Sequence, residues 1–233
     1  MMAAMLLAPV LVVLVVVAGY VYLSGKRSPA PAHPAALSHP TAAPSGSPSP
    51  TLGRWKHIES RSQDPAPLNA TELFPSQFSN SGNAGVRTVD KTSTNCSREV
   101  FGSALASAVR KADCTQVLRA SYLSTNKKIM STVGVLNLTD ATAAEHAGKV
   151  SGATEFIKQL PAAHGPTKNL SKGTGIVEAE FKGHYLILIW TEFANLKAPS
   201  GKNQRKQLEA FSADLIAGTV NVSLTNRMVN GRP

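Results

Sequence analysis

Residues 176–193 read IVEAEFKGHYLILIWTEF. In the first half, Ile176, Glu178, Glu180 and Lys182 alternate with Val177, Ala179 and Phe181. That period of two belongs to a strand with one buried and one wet face. Gly183 makes the turn, and the run 185–193 (YLILIWTEF) is so apolar that it belongs inside a sheet. Together the two runs predict an antiparallel hairpin.

Working outward, the same reading recurs upstream. Residues 116–123 (QVLRASYL) and 129–138 (IMSTVGVLNL) flank the polar stretch 124–128 and predict another hairpin. Before it, Val100, Phe101, Ala104, Leu105, Ala108, Val109 and Ala112 recur at helical spacing. Between the hairpins, Thr139-Asp140 can cap a helix that Pro161 would end, with Phe156, Ile157 and Leu160 on its inner side. Downstream, Leu208, Phe211, Leu215 and Ile216 predict a helix over 203–217, stopped by Gly218. Residues 219–233 read equally as a short strand or as a further helical turn. The order α-ββ-α-ββ-α predicts an α+β domain over residues 91–233, a four-stranded antiparallel sheet with helices on one face.

The first 90 residues are of another kind. Residues 1–23 (MMAAMLLAPVLVVLVVVAGYVYL) carry no charged side chain. As a helix of ~1.5 Å per residue they would cross a hydrocarbon core of about 30 Å. Residues 1–24 are therefore expected to be a transmembrane helix, with Tyr20 and Tyr22 near the headgroups. A cleaved signal peptide is the competing reading, since Val17-Ala18-Gly19 could be a cleavage site, although a basic leader is missing. Residues 25–90 are expected to be a mostly disordered Pro/Ser/Ala-rich linker. Seven prolines lie between Ser28 and Pro50, and residues 51–90 are turn-rich with few apolar anchors (Trp55, Leu73, Phe74 and Phe78). His33 and His39 in this tract read as solvated spacer residues. Lys26 and Arg27 after the helix favour a cytoplasmic domain, whereas the stalk and the single cysteine pair favour an exported one. The expectation adopted is a single-pass cell-membrane protein with an extracytoplasmic C-terminal domain.

Cys96 and Cys114 are the only cysteines. In an exported domain they are expected to form a disulfide. An unbroken helix over 97–112 would hold its ends more than about 20 Å apart, whereas a disulfide needs Cα atoms within roughly 7 Å. The bond therefore requires the helix to begin late, near Gly102-Ser103. Otherwise the thiols are free or pair between chains.

Little else points to chemistry. His146, His164 and His184 match no local zinc spacing, and no catalytic His-Glu, nucleophile-elbow or phosphate-loop motif is present. Glu178 and Glu180 share a strand face but read as its wet side. Residues 169–175 (NLSKGTG) could offer backbone amides to an anion, and a plain loop is the simpler reading. No catalytic, cofactor-binding or metal-binding residue is assigned, no cofactor is implied, and the chain is read as non-enzymatic. The net charge of +10 favours anionic neighbours such as headgroups or wall polymers. Without an aromatic-interleaved basic motif, nucleic acid is disfavoured.

The stretch CTQVLRASY (114–122) followed by VGVLNL (133–138) resembles a pattern in uncharacterised membrane-anchored proteins of high-GC Gram-positive bacteria, actinobacterial hypothetical membrane proteins. The resemblance covers roughly residues 96–233 and rests on packing motifs, so it implies envelope placement and no activity. The expected function is a membrane-tethered, non-enzymatic envelope module binding a partner protein or an anionic polymer. The alternative is an extracytoplasmic domain that senses or binds a small molecule.

Overall fold

The computed structural model describes residues 53–231. In chain order, a single helical turn α1 (Ala70–Leu73) leads into β1 (Gln77–Asn80) and β2 (Asn83–Ser93). The short β3 (Val100–Phe101) precedes α2 (Ser103–Lys111), followed by the hairpin β4 (Gln116–Ser124) and β5 (Ile129–Asn137). Then come α3 (Ala141–Val150), β6 (Phe156–Ile157), and the hairpin β7 (Gly175–Lys182) and β8 (Tyr185–Phe193). Two helices, α4 (Lys202–Gly218) and α5 (Val220–Asn230), close the chain.

Both expected hairpins are present, in the registers Leu118↔Val135 and Glu178↔Ile189. The expected four-stranded α+β architecture is corrected. The sheet has six strands in the order β1-β2-β4-β5-β8-β7, every neighbour antiparallel, and β3 pairs with β6 in a second small sheet. The described residues are thus mostly β, with few helices. The large sheet curls around α4, whose Leu208, Phe211, Leu215 and Ile216 share a core with Leu118, Tyr122, Val133 and Ile189. Helices do not keep to one face. On the opposite face, Leu105 and Val109 of α2 and Ala144 and Ala147 of α3 pack with Val117, Leu136, Leu188 and Trp190.

The two extra strands lie where a linker was expected. In β2 only Gly85 is buried, so its sequence NAGVRTVDKTS has no apolar alternation to read. What holds it is the backbone ladder to β4, from Gly85↔Ser124 to Ser93↔Val117, broken by a bulge between Arg87 and Val89. The helix expected to reach residue 160 stops at Val150, where Ser151 turns extended. Phe156 and Ile157 instead form β6 and pair with Phe101 and Val100. Gly134 in the middle of β5 makes this possible, since a Cβ there would come within 2.5 Å of Ile157 Cδ1. The pairing also makes Val100 and Phe101 a strand, not a first helical turn. Residues 220–230, left open between strand and helix, are helical.

The segment from Trp55 to Phe74 is a strap across one pole of the sheet. Ile58 and Leu73 are fully buried. The Ile58 carbonyl accepts the His184 amide at 2.9 Å, and Glu59 and Arg61 exchange backbone bonds with Ala141 and Thr139. Among the described residues no helix is long and apolar enough to cross a membrane. The expected transmembrane helix, residues 1–24, and the proline-rich part of the linker lie outside the described residues.

Candidate functional site

At the pole opposite the strap, the β4–β5 turn, the end of β8 and the start of α4 meet around an open cleft of about 710 Å³. Lys127 and Lys128 enter from the turn, and Lys197 from the loop after β8. The turn is fixed by its own side chains, because Ser124 Oγ accepts the Lys128 and Ile129 amides and Asn126 Oδ1 also accepts that of Lys128. The Ala194 amide donates to the Lys128 carbonyl at 2.9 Å and ties the turn to the strand end. Two cleft-lining carboxamides have their oxygens occupied. Asn195 Oδ1 accepts the Lys197 amide at 3.0 Å and Gln204 Oε1 the Ser200 amide at 2.7 Å. Their NH2 groups remain as donors. Phe193, Ala194, Ala198 and Pro166 supply the apolar part of the wall, and no carboxylate lines it.

Further cations lie close in sequence to lining residues. Lys168 lies two residues from Pro166, while Lys202, Arg205 and Lys206 share the first turns of α4 with Gln204 and Gln207. Together with Lys172 these eight side chains are exposed, and none forms an ion pair among the described residues.

Many acidic groups are engaged elsewhere. Arg227, fully buried on α5, donates six hydrogen bonds: to both Glu72 oxygens, to Asp64 Oδ1, to the Tyr185 hydroxyl and to the carbonyls of Ala66 and Pro67. Burial works against its charge, but the Glu72 hydrogen bonds, with the electrostatic pull of the Tyr185 oxygen and of the Asp64 and Glu72 carboxylates, outweigh it and raise its pKa. The Tyr185 hydroxyl, whose pKa burial pushes up further, donates to Asp64 Oδ2 at 2.6 Å. This cluster is sealed and clamps the strap to the sheet. Glu99 takes Arg119 and Lys91, Asp113 takes Arg61, and Asp214 accepts Asn80 and Asn83.

Each residue singled out in the sequence now has a place. Cys96 and Cys114 form a disulfide with Cα atoms 6.1 Å apart. The helix between them begins at Ser103, as the spacing required, with Cys96 in a 3₁₀ turn (Cys96–Arg98) folded back beside Cys114. Glu178 and Glu180 face α4, Glu178 half-buried and Glu180 exposed. Burial raises the Glu178 pKa and a hydrogen bond from Ser212 opposes it. In the loop 169–175 the Ser171 and Gly173 amides approach the chain's own Glu192. Its carboxyl is fully buried, accepts Trp190 Nε1 at 2.7 Å and has its pKa raised by burial. The Trp190 bond and the approaching Ser171 and Gly173 amides oppose that rise, although Glu192 Oε1 lacks a close partner.

His146 and His164 are exposed and His184 is buried at the opposite pole. Among the described residues no group of His, Cys, Asp and Glu could hold a metal ion. Lys127, Lys128 and Lys197 were not singled out from the sequence. Their separation along the chain hides their meeting, and only the summed positive charge hinted at it. No protein-family model, no curated protein and no solved structure matches this chain.

Proposed function

We propose that this protein is a membrane-tethered, non-enzymatic envelope module that holds an anionic partner, a polymer or an acidic protein, in the lysine-lined cleft. The observation that carries this reading is a cleft with three unpaired lysines, donor-facing carboxamides and no carboxylate. Such a surface attracts anions and repels cations over a Debye length of about 8–10 Å at physiological salt. The uncharged residues 1–23 and the seven prolines that follow support display from a membrane. The disulfide fits an oxidising compartment. The small-molecule alternative calls for an enclosed apolar pocket, whereas this cleft between the end of β8 and the start of α4 is open and lined by lysines.

The test is retention of the full-length protein on isolated envelope material at low and high salt. The variant Lys127→Glu/Lys128→Glu/Lys197→Glu changes only exposed side chains, so it should fold normally. It is expected to lose at least about tenfold in retention at low salt, from charge contacts of around 1 kcal/mol or less each plus like-charge repulsion. Equal retention of the variant would remove the cleft from the binding reaction.

A further inference from the structure

Glu192 of β8 is buried without the partners that a charge requires. It takes one firm hydrogen bond, from Trp190 Nε1 to Oε2 at 2.7 Å, while Oε1 has none. No cation pairs with it among the described residues. Across the sheet it stands opposite Met130 of β5 and Gly175 of β7. Phe156 of β6 lies against Trp190, and the charges flanking that strand are used elsewhere. Glu155 accepts the first amides of α2, and Lys158 donates to the Arg98 carbonyl. Lys128, Lys168, Lys172 and Lys197, on the neighbouring turns and loops, are exposed. An ionised carboxyl in this place gives up its hydration without replacement, whereas a neutral one gives up far less.

The loop 170–175 closes over this group. Leu170 is fully buried, and the Ser171 and Gly173 amides approach the carboxyl. A Cβ on Gly175 would come within 2.7 Å of the Trp190 ring, and one on Gly173 within 3.0 Å of Leu196 Cα. Ser171 and Leu196 hold φ of 83° and 66°, conformations that are costly outside glycine. The loop thus bears on the turn after β8, where Leu196 stands between the cleft residues Asn195 and Lys197.

We infer that Glu192 is a proton-operated latch on this loop, closed over the neutral carboxyl and released when the carboxyl ionises, and that release loosens the Lys197 side of the cleft. The control of the cleft rests on the reading above that the cleft binds anions. Proton linkage sets the direction. Burial holds the Glu192 pKa above the ordinary carboxylate range, against the Trp190 bond and the two amides. Opening the loop returns water to the carboxyl and its pKa towards about 4.3. The closed form therefore binds the proton more tightly, and raising the pH through its pKa favours opening.

The experiment uses the full-length protein in neutral detergent. It has two tryptophans, so isotopic labelling of tryptophan gives two indole N–H signals, and Trp55→Phe identifies that of Trp190. This signal should titrate with a midpoint above about 4.3. In Glu192→Gln, which stays neutral at every pH, it should not move. Hydrogen exchange of residues 170–175, corrected for its intrinsic pH dependence, should rise through the same midpoint in the unaltered protein alone. Dextran sulfate, which stays ionised throughout, reads the cleft. Above the midpoint the unaltered protein should bind it about threefold more weakly than Glu192→Gln does, the share of one exposed charge contact.

A Trp190 signal that does not titrate, or titrates equally in Glu192→Gln, would overturn the latch. Loop exchange that falls as pH rises would overturn its direction, and both of these readings in the unaltered protein stand even if the variant does not fold. Titration of Trp190 with the same pH dependence of sulfate binding in both proteins would overturn the control of the cleft. If dextran sulfate binds neither protein at low salt, the anionic-partner reading itself fails, while the indole signal still decides the latch.

Discussion

At Arg227 a single side chain gathers six hydrogen bonds that help tie the first described segment to the domain. Its five N–H groups meet acceptors from α1, from the loop before it and from β8. A buried ion that keeps all its partners is neutral to modestly favourable, whereas removing one member strands the others. Arg227→Ala, which leaves Asp64 and Glu72 without their cation, is expected to destabilise the fold by about 3–5 kcal/mol in urea unfolding. Arg227→Lys should recover only part of this, since an ammonium cannot reproduce the fork. His184 supplies a pH signature. Burial lowers its pKa, with the Ile58 carbonyl and Asp64 opposing, so the fold prefers neutral imidazole. The stability this contributes is complete above the unfolded value of about 6.5 and is lost as pH falls through the lower folded value. Urea midpoints should therefore drop between neutral pH and about pH 5. His184→Gln should reduce the steepness of that drop, and an unchanged pH profile in this variant would exclude His184 as its source.

Legibility at the level of elements followed burial. Strands β4, β5 and β8 are packed on both faces and show as apolar runs. The alternation of β7 fixed its extent, yet the side expected to be wet is half-covered by α4, with Ile176 buried and Lys182 bonded to Thr225 of α5. Strand β2 escaped notice because its stability comes from ladder hydrogen bonds, which leave no mark on side-chain pattern. Phe156 and Ile157 fitted a helix period and became a strand because Ser151-Gly152 interrupts the helix and Gly134 opens room beneath them. The disulfide was readable in outline because the bond, if formed, required a helix that starts late, and closing this loop of 18 residues is worth about 3 kcal/mol against the unfolded chain. The strap and the first two strands can be tested as structural parts. A chain beginning at residue 91 lacks Ile58, Leu73, Phe74 and Phe78 from its core and the Asp64 and Glu72 partners of Arg227. It should fail to give a cooperative unfolding transition, whereas one beginning at residue 53 should give a single sharp transition by circular dichroism. A chain from residue 91 that unfolds cooperatively would show the strap to be dispensable.

Over the whole molecule, charged groups are brought together in ways that no window of sequence reveals. Several carboxylates serve as helix caps and internal partners, as Asp140 does for α3 and Glu155 for the first amides of α2. Cations from the β4–β5 turn, the loop over Glu192 and the start of α4 are left facing solvent at one end. Net charge was legible in the composition; the meeting of Lys127, Lys128 and Lys197 had to wait for the antiparallel order that brings the β4–β5 turn to the end of β8. The same order sets two ends of the molecule apart, since β8 runs roughly 30 Å from the strap to the cleft at ~3.3 Å per residue.

The strap has a mechanical consequence. Traction between the N-terminal side of residue 53 and a ligand seated in the cleft would run nearly along β8. Ladder bonds lie crosswise to that direction, so the sheet would have to shear many of them at once. The strap is gripped by a few backbone bonds, by the Arg61–Asp113 pair, by the Arg227 guanidinium and by the burial of Ile58, Leu68, Leu73 and Phe74, and pulled from its end it would peel residue by residue. The Arg227 clamp, which holds the strap further along, would then be loaded only after Ile58 and Arg61 had let go.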